Sequence, residues 1–124
     1  MLKELLSMIK IYSYSACGTC RKALKWLNDH GLKYELIEIL TNPPSRDVLE
    51  EAISQYASKK PLFNTSGASY RNIGAEKIKA MNNQEGLNLL ASDSKLIKRP
   101  VLITDQGIIL IGFKKELWEE KLMQ

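Results

Sequence analysis

The 124-residue sequence has one histidine, two cysteines, four prolines and seven glycines. Two cysteines cannot supply the disulfide framework on which small secreted domains depend, and the scarcity of proline and glycine excludes collagen-like and linker-rich chains. No apolar run approaches the roughly 18 residues of a membrane-spanning helix. The longest runs from Ile108 to Ile111 between glycines, so no membrane association is expected. Basic residues occur at most in pairs (Lys59-Lys60, Lys98-Arg99, Lys114-Lys115), so the net charge of +4 brings no polybasic arm, and direct nucleic-acid binding is not expected. What is present is ordinary: 44% hydrophobic and 26% charged residues, enough for one buried core. Residues 1–8 read as a short extension ahead of a single domain at 9–124; they hold an acid and no signal-like apolar stretch, so a cytoplasmic location is expected.

Period-two alternation from Ile9 to Tyr14 predicts a first strand, with Ile9, Ile11 and Ser13 on one face and Lys10, Tyr12 and Tyr14 on the other. Cys20, Ala23, Leu24 and Leu27 follow at helical spacing, and Gly31 stops that helix. Tyr34 to Ile39 reads as a second strand, ended by Pro43-Pro44. Ser45 then caps a helix carrying Leu49, Ala52, Ile53 and Tyr56. Residues Lys59 to Arg71 show no clear period and read as a long polar connection, a length that points to function or to hidden turns. Short helices are expected at Ala75–Met81 and Gln84–Ser92, then strands at Val101–Thr104 and Ile108–Ile111 around Asp105-Gln106-Gly107. A last helix carries Leu117, Trp118, Lys121 and Leu122. This α/β order, βαβ then ββα, resembles the thioredoxin/glutaredoxin-like fold, with an all-helical insertion at about residues 43–95.

Cys17-Gly18-Thr19-Cys20 falls between the first strand and the first helix. Cys17 then meets the unpaired N–H groups and positive dipole end of the helix, which lower a thiol below its free value of about 8.5. Cys20, on the apolar stripe one turn in, is expected to be the more buried thiol and to attack a mixed disulfide formed on Cys17. Structural zinc wants four ligands, and beyond the two cysteines the chain offers only His30 at the far end of the same helix; a zinc site would need a second chain. No metal and no bound cofactor are therefore expected, and His30 reads as a solvated residue. Arg21, Lys22 and Lys25 decorate the cysteine helix, where a cation could stand near the thiolate, and Lys22 and Lys25 read as a solvated helix face. The thioredoxin resemblance gives Arg99-Pro100 more weight: in that fold the segment before the third strand lies against the cysteine loop, and its proline is typically cis, which implies Arg99 beside Cys17.

Cys17-Gly18-Thr19-Cys20-Arg21-Lys22-Ala23, the segment Leu62 to Gly74, Leu90-Ala91-Ser92-Asp93 and Ile97-Lys98-Arg99-Pro100 together resemble the ArsC/Spx-like family, over residues 9 to 122. For the arsenate reductases of that family the resemblance implies Cys17 as nucleophile and Arg99 as an anion-binding residue, with Thr19, Asn64 and Pro100 lining the substrate or partner site. Glutathione is the implied co-substrate, and glutaredoxin, thioredoxin or a protein or small-molecule disulfide the implied partner. The same pattern has Ser13 in place of a histidine, and Asn64 and Phe113 in place of two arginines. Losing two guanidinium forks removes the bidentate contacts a tetrahedral oxyanion needs, so arsenate is an unlikely substrate. For the Spx-type regulators the resemblance implies the alternative partner, the C-terminal domain of the RNA polymerase α subunit.

Overall fold

A computed structural model describes residues 8–123; of the expected extension at residues 1–8, residues 1–7 lie outside the described residues. The backbone divides into two compact units, Leu40–Lys98 and the described residues on either side of it.

In the flanking unit, strand β1 (Ile9–Ser13) leads to helix α1 (Gly18–Asp29) and strand β2 (Tyr34–Glu38). β1 and β2 are parallel, with Ile11 opposite Leu36. A parallel pair requires a crossover, which α1 provides. Strands β3 (Val101–Thr104) and β4 (Ile109–Ile111) complete a sheet of order β2-β1-β3-β4, with β3 antiparallel to both neighbours. The β3–β4 connection closes through Gly107, whose φ of 84° is the left-handed conformation that favours glycine. Helix α6 (Lys115–Leu122) follows.

The period-two expectation for β1 is met: Ile9, Ile11 and Ser13 are buried and Lys10 is exposed. Ile9 and Ile11 share one core with Leu102 and Leu110 of the sheet, Ala23, Trp26 and Leu27 of α1, and Trp118 of α6. The α1 stripe differs from expectation at one position. Leu24 is only half-buried at the edge of this core, and Trp26 is buried within it, edge-on to Trp118 with ring centroids 5.8 Å apart. His30 also corrects the reading from sequence. It is half-buried, its Nδ1 lies 2.8 Å from the Trp26 carbonyl oxygen, and its ring stacks on Trp26 at 4.1 Å. A residue at a helix end folds back on the preceding turn when a flat apolar ring is there to receive it.

In the unit Leu40–Lys98, helix α2 (Arg46–Tyr56) starts at Ser45, whose Oγ accepts the Val48 N–H at 3.2 Å. The segment read as a long polar connection, with function or hidden turns, does contain local structure. It holds a 3₁₀ turn (Lys60–Leu62) and helix α3 (Ala68–Ile73), and Phe63 forms an isolated antiparallel bridge with Ile97. Helices α4 (Ala75–Lys79) and α5 (Asn83–Ser92) follow, then a 3₁₀ turn at Ser94–Leu96. An Asn82–Glu85 capping box starts α5. The unit runs three residues beyond the expected 43–95 at each end. Ser94 Oγ donates to the Leu40 carbonyl at 3.0 Å and Lys98 N–H to that of Leu62 at 2.7 Å, tying both ends in.

Candidate functional site

β1 ends at Ser13, and the chain turns through Tyr14-Ser15-Ala16 into α1. The turn is closed by the Cys17 N–H, which donates to the Tyr14 carbonyl at 3.0 Å, and by the Arg21 guanidinium, which donates to the Ser15 carbonyl at 2.9 Å. Arg21 therefore serves the loop backbone. Cys17 is the N-cap of α1, and its sulfur accepts the Cys20 N–H at 3.3 Å. A sulfur takes the place of the usual Ser or Asp oxygen at a cap. This is where the sequence expects a thiol to gain anionic character.

Cys17 is half-buried, Cys20 fully buried, and both are free thiols. Burial alone pushes Cys17 up. The Cys20 thiol and Cys20 N–H, followed by a hydrogen bond and the charge of Arg99, outweigh it and hold Cys17 below its ordinary value. Cys20 moves the other way, to about 11. Burial is the main cause and its interaction with Cys17 adds to it, while the Ser13 hydroxyl and the Tyr14 backbone N–H pull it down. The pair thus divides into a thiolate-prone outer sulfur and a protonated inner one.

The Arg99-Pro100 peptide is cis, as the fold resemblance implies, and Pro100 is buried. Arg99 lowers Cys17 by hydrogen bonding and by its charge, and its guanidinium Cζ lies 4.8 Å from the centre of the Tyr14 ring. Tyr14 was legible in the sequence only as an outward residue of β1. Its platform role depends on β3 lying beside β1, which brings Arg99 over the ring. Ser13 was legible as an inward residue; it is buried, and its hydroxyl lowers Cys20. An inward serine ending a strand just before a thiol pair was the available signal.

The remaining site residues lie as follows. Thr19 is exposed, between the cysteines in the first turn of α1. Asn64 belongs to the other compact unit, where its amide donates to the Lys95 carbonyl at 3.4 Å and accepts from Ser66 Oγ at 3.2 Å. Phe113 packs against Trp118, ring centroids 4.8 Å apart, and contributes apolar surface. Among the described residues no group of three or more His, Cys, Asp or Glu is placed to hold a metal ion, and no helix is long and apolar enough to cross a membrane.

A family model described as the ArsC family matches residues 12–121. The chain belongs to the ArsC family. It is 45% identical over 114 residues to the uncharacterized protein YusI of Bacillus subtilis, covering 90% of this chain and 96% of that one. An arsenate reductase of Acidiphilium multivorum is 33% identical over 103 residues, 82% of this chain and 72% of its own length. The global transcriptional regulator Spx of Streptococcus mutans is 26% identical over 110 residues, 88% of this chain and 79% of its own length. The crystal structure of an ArsC family related protein from Bacteroides fragilis superposes with a TM-score of 0.84 at 36% identity, covering 90% of this chain and 95% of that one. The four-stranded sheet and its helices are therefore the ArsC-like form of the thioredoxin fold. Family membership carries both a reductase and a regulator, so it fixes the fold without fixing the activity.

Proposed function

We propose that this protein is a thiol–disulfide oxidoreductase in which Cys17 is the nucleophile and Cys20 the resolving thiol. The observation that carries the reading is the cap at Cys17, where one sulfur collects the Cys20 N–H at 3.3 Å and the Arg99 guanidinium while a second, buried thiol stands beside it. The Cys17 thiolate attacks one sulfur of a disulfide, forming a mixed disulfide and releasing the other sulfur as thiolate. Cys20 then displaces the bound partner, leaving the Cys17–Cys20 disulfide. The Arg99 guanidinium serves both the Cys17 thiolate and an anionic partner such as the carboxylates of glutathione. Glutathione as co-substrate, with glutaredoxin or thioredoxin closing the cycle, suits that charge. Thr19 and Pro100 line the approach to Cys17 in this reading.

Cys20→Ala tests it. Without its resolver the protein is expected to accumulate one mixed disulfide per chain through Cys17 when exposed to glutathione disulfide, as read by intact mass and peptide mapping. No adduct, or an adduct elsewhere, would sink the assignment. The similarity to Spx keeps a second reading in view, a redox-sensing module that binds RNA polymerase α. Capture of that subunit by the reduced protein without any mixed disulfide would favour it.

A further inference from the structure

β1 and β3 run antiparallel with Tyr12 opposite Val101, so just past that pair the two chains present Tyr14 and Arg99 at the same end of the sheet. The two side chains meet there. Arg99 Cζ lies 4.8 Å from the centre of the Tyr14 ring, inside the separation of about 6 Å at which the negative face of an aromatic ring attracts a cation. Both residues are half-buried, and among the described residues no carboxylate forms an ion pair with Arg99. A long side chain without an ion-pair partner keeps much of its rotamer freedom unless another group holds it. Here the ring is that group. Tyr14 also reaches the nucleophile's loop from its other end, because its carbonyl accepts the Cys17 N–H at 3.0 Å. One residue thus touches the loop with its backbone and the guanidinium with its side chain.

We propose that Tyr14 is a positioning residue that fixes the Arg99 charge beside the Cys17 loop and thereby gives the site its preference for anionic reaction partners. The proposal rests on the reading of Cys17 as nucleophile above and names what holds its cation in place. A guanidinium fixed there acts twice. It favours the thiolate, and after burial and the Cys20 donors it is the remaining influence on Cys17. It also attracts an anion approaching the sulfur, an effect that reaches further than a hydrogen bond because a charge is felt across about 8 Å at physiological salt. With the ring removed Arg99 keeps its charge but spreads over other rotamers, so both effects weaken together while every group of the cysteine loop stays in place. Arg21, the other cation of the loop, is held by the Ser15 carbonyl at 2.9 Å and does not depend on the ring.

Two alkylating reagents of nearly the same shape read the effect, neutral iodoacetamide and anionic iodoacetate. Each takes the Cys17 thiolate onto carbon and releases iodide, so the ratio of their rates on the reduced full chain cancels the thiolate fraction and reports the charge met at the sulfur. Tyr14→Leu and Tyr14→Met, both without a ring, should lower the iodoacetate-to-iodoacetamide ratio about threefold and raise the pH midpoint of iodoacetamide alkylation by about half a unit, the scale of one partly exposed cation–ring contact. Tyr14→Phe keeps the ring and should match the unmutated protein. In an Arg99→Ala background, which should itself lower the ratio, Tyr14→Leu should change neither quantity further. An unchanged ratio in the ringless variants, whatever their midpoint, would overturn the role of the ring and leave the cysteine assignment standing. So would Tyr14→Phe behaving as leucine, or an equal change from Tyr14→Leu with and without Arg99, which would put the effect in the loop itself. Peptide mapping of the adducts tests the reading underneath: alkylation of the unmutated protein at Cys20 in place of Cys17 would overturn that reading, and the role of Tyr14 with it.

Discussion

Cys17 sits under opposing influences: burial favours the neutral thiol, and the Cys20 donors and Arg99 favour the thiolate. Arg99 is the one of these that can be removed without touching the cysteines. In Arg99→Ala the pH midpoint of Cys17 alkylation should rise toward the free-thiol value of about 8.5, and the rate below that midpoint should fall. Arg99→Lys should recover only part of the effect, since an ammonium keeps the charge but neither the planar fork nor the stack on Tyr14. An alkylation profile identical to that of the unmutated protein would remove Arg99 from the site. The signs for folding differ between the two thiols. Cys17, lowered in the fold, contributes stability above its unfolded value that is lost as pH falls through the folded one. Cys20, raised to about 11, has the opposite sign: its neutral form favours the fold until pH rises past the unfolded value, and the advantage declines from there to about 11.

Elements with a local cause were legible in the sequence. β1 follows from alternation, α2 from the Ser45 cap, and the β3–β4 connection from Gly107. The stretch from Lys59 to Arg71 was not, because its order comes from partners far along the chain: the Asn64 N–H donates to the Leu96 carbonyl at 2.8 Å, and Phe63 bridges Ile97. Gly86 shows the same dependence. It lies inside α5, where alanine would ordinarily stabilise a helix by about 1 kcal/mol. Yet a Cβ there would stand 2.3 Å from Lys59 Cδ, because the lysine stem crosses the helix at that point. Gly86→Ala should therefore raise the midpoint of thermal unfolding in Lys59→Ala and raise it less in the natural background, where the lysine stem must first swing aside. Additive effects of the two substitutions would show that the crossing carries no weight.

For the whole molecule, the three positions that the resemblance to arsenate reductases singles out bear on substrate. Ser13 is buried and its hydroxyl lowers Cys20, Asn64 bonds to Lys95 and Ser66, and Phe113 packs among tryptophans, so none of the three supplies a cation. Arsenate should accordingly support little turnover with glutathione and glutaredoxin, and rapid arsenate-dependent oxidation of NADPH in a coupled assay would refute that expectation. By itself the sequence determined the order of elements outside the stretch from Lys59 to Arg71, the inward face of β1, the placing of Cys17 at a helix start and of Cys20 one turn inside. These follow from periodicity, caps and spacing, which act between near neighbours. Only the tertiary structure decided that Tyr14 carries Arg99 and that Trp26 and His30 stack. The first of these depends on β3 pairing beside β1 across most of the chain, and no local pattern encodes such a contact. The second depends on where side chains point once the core has closed, which spacing narrows but packing settles.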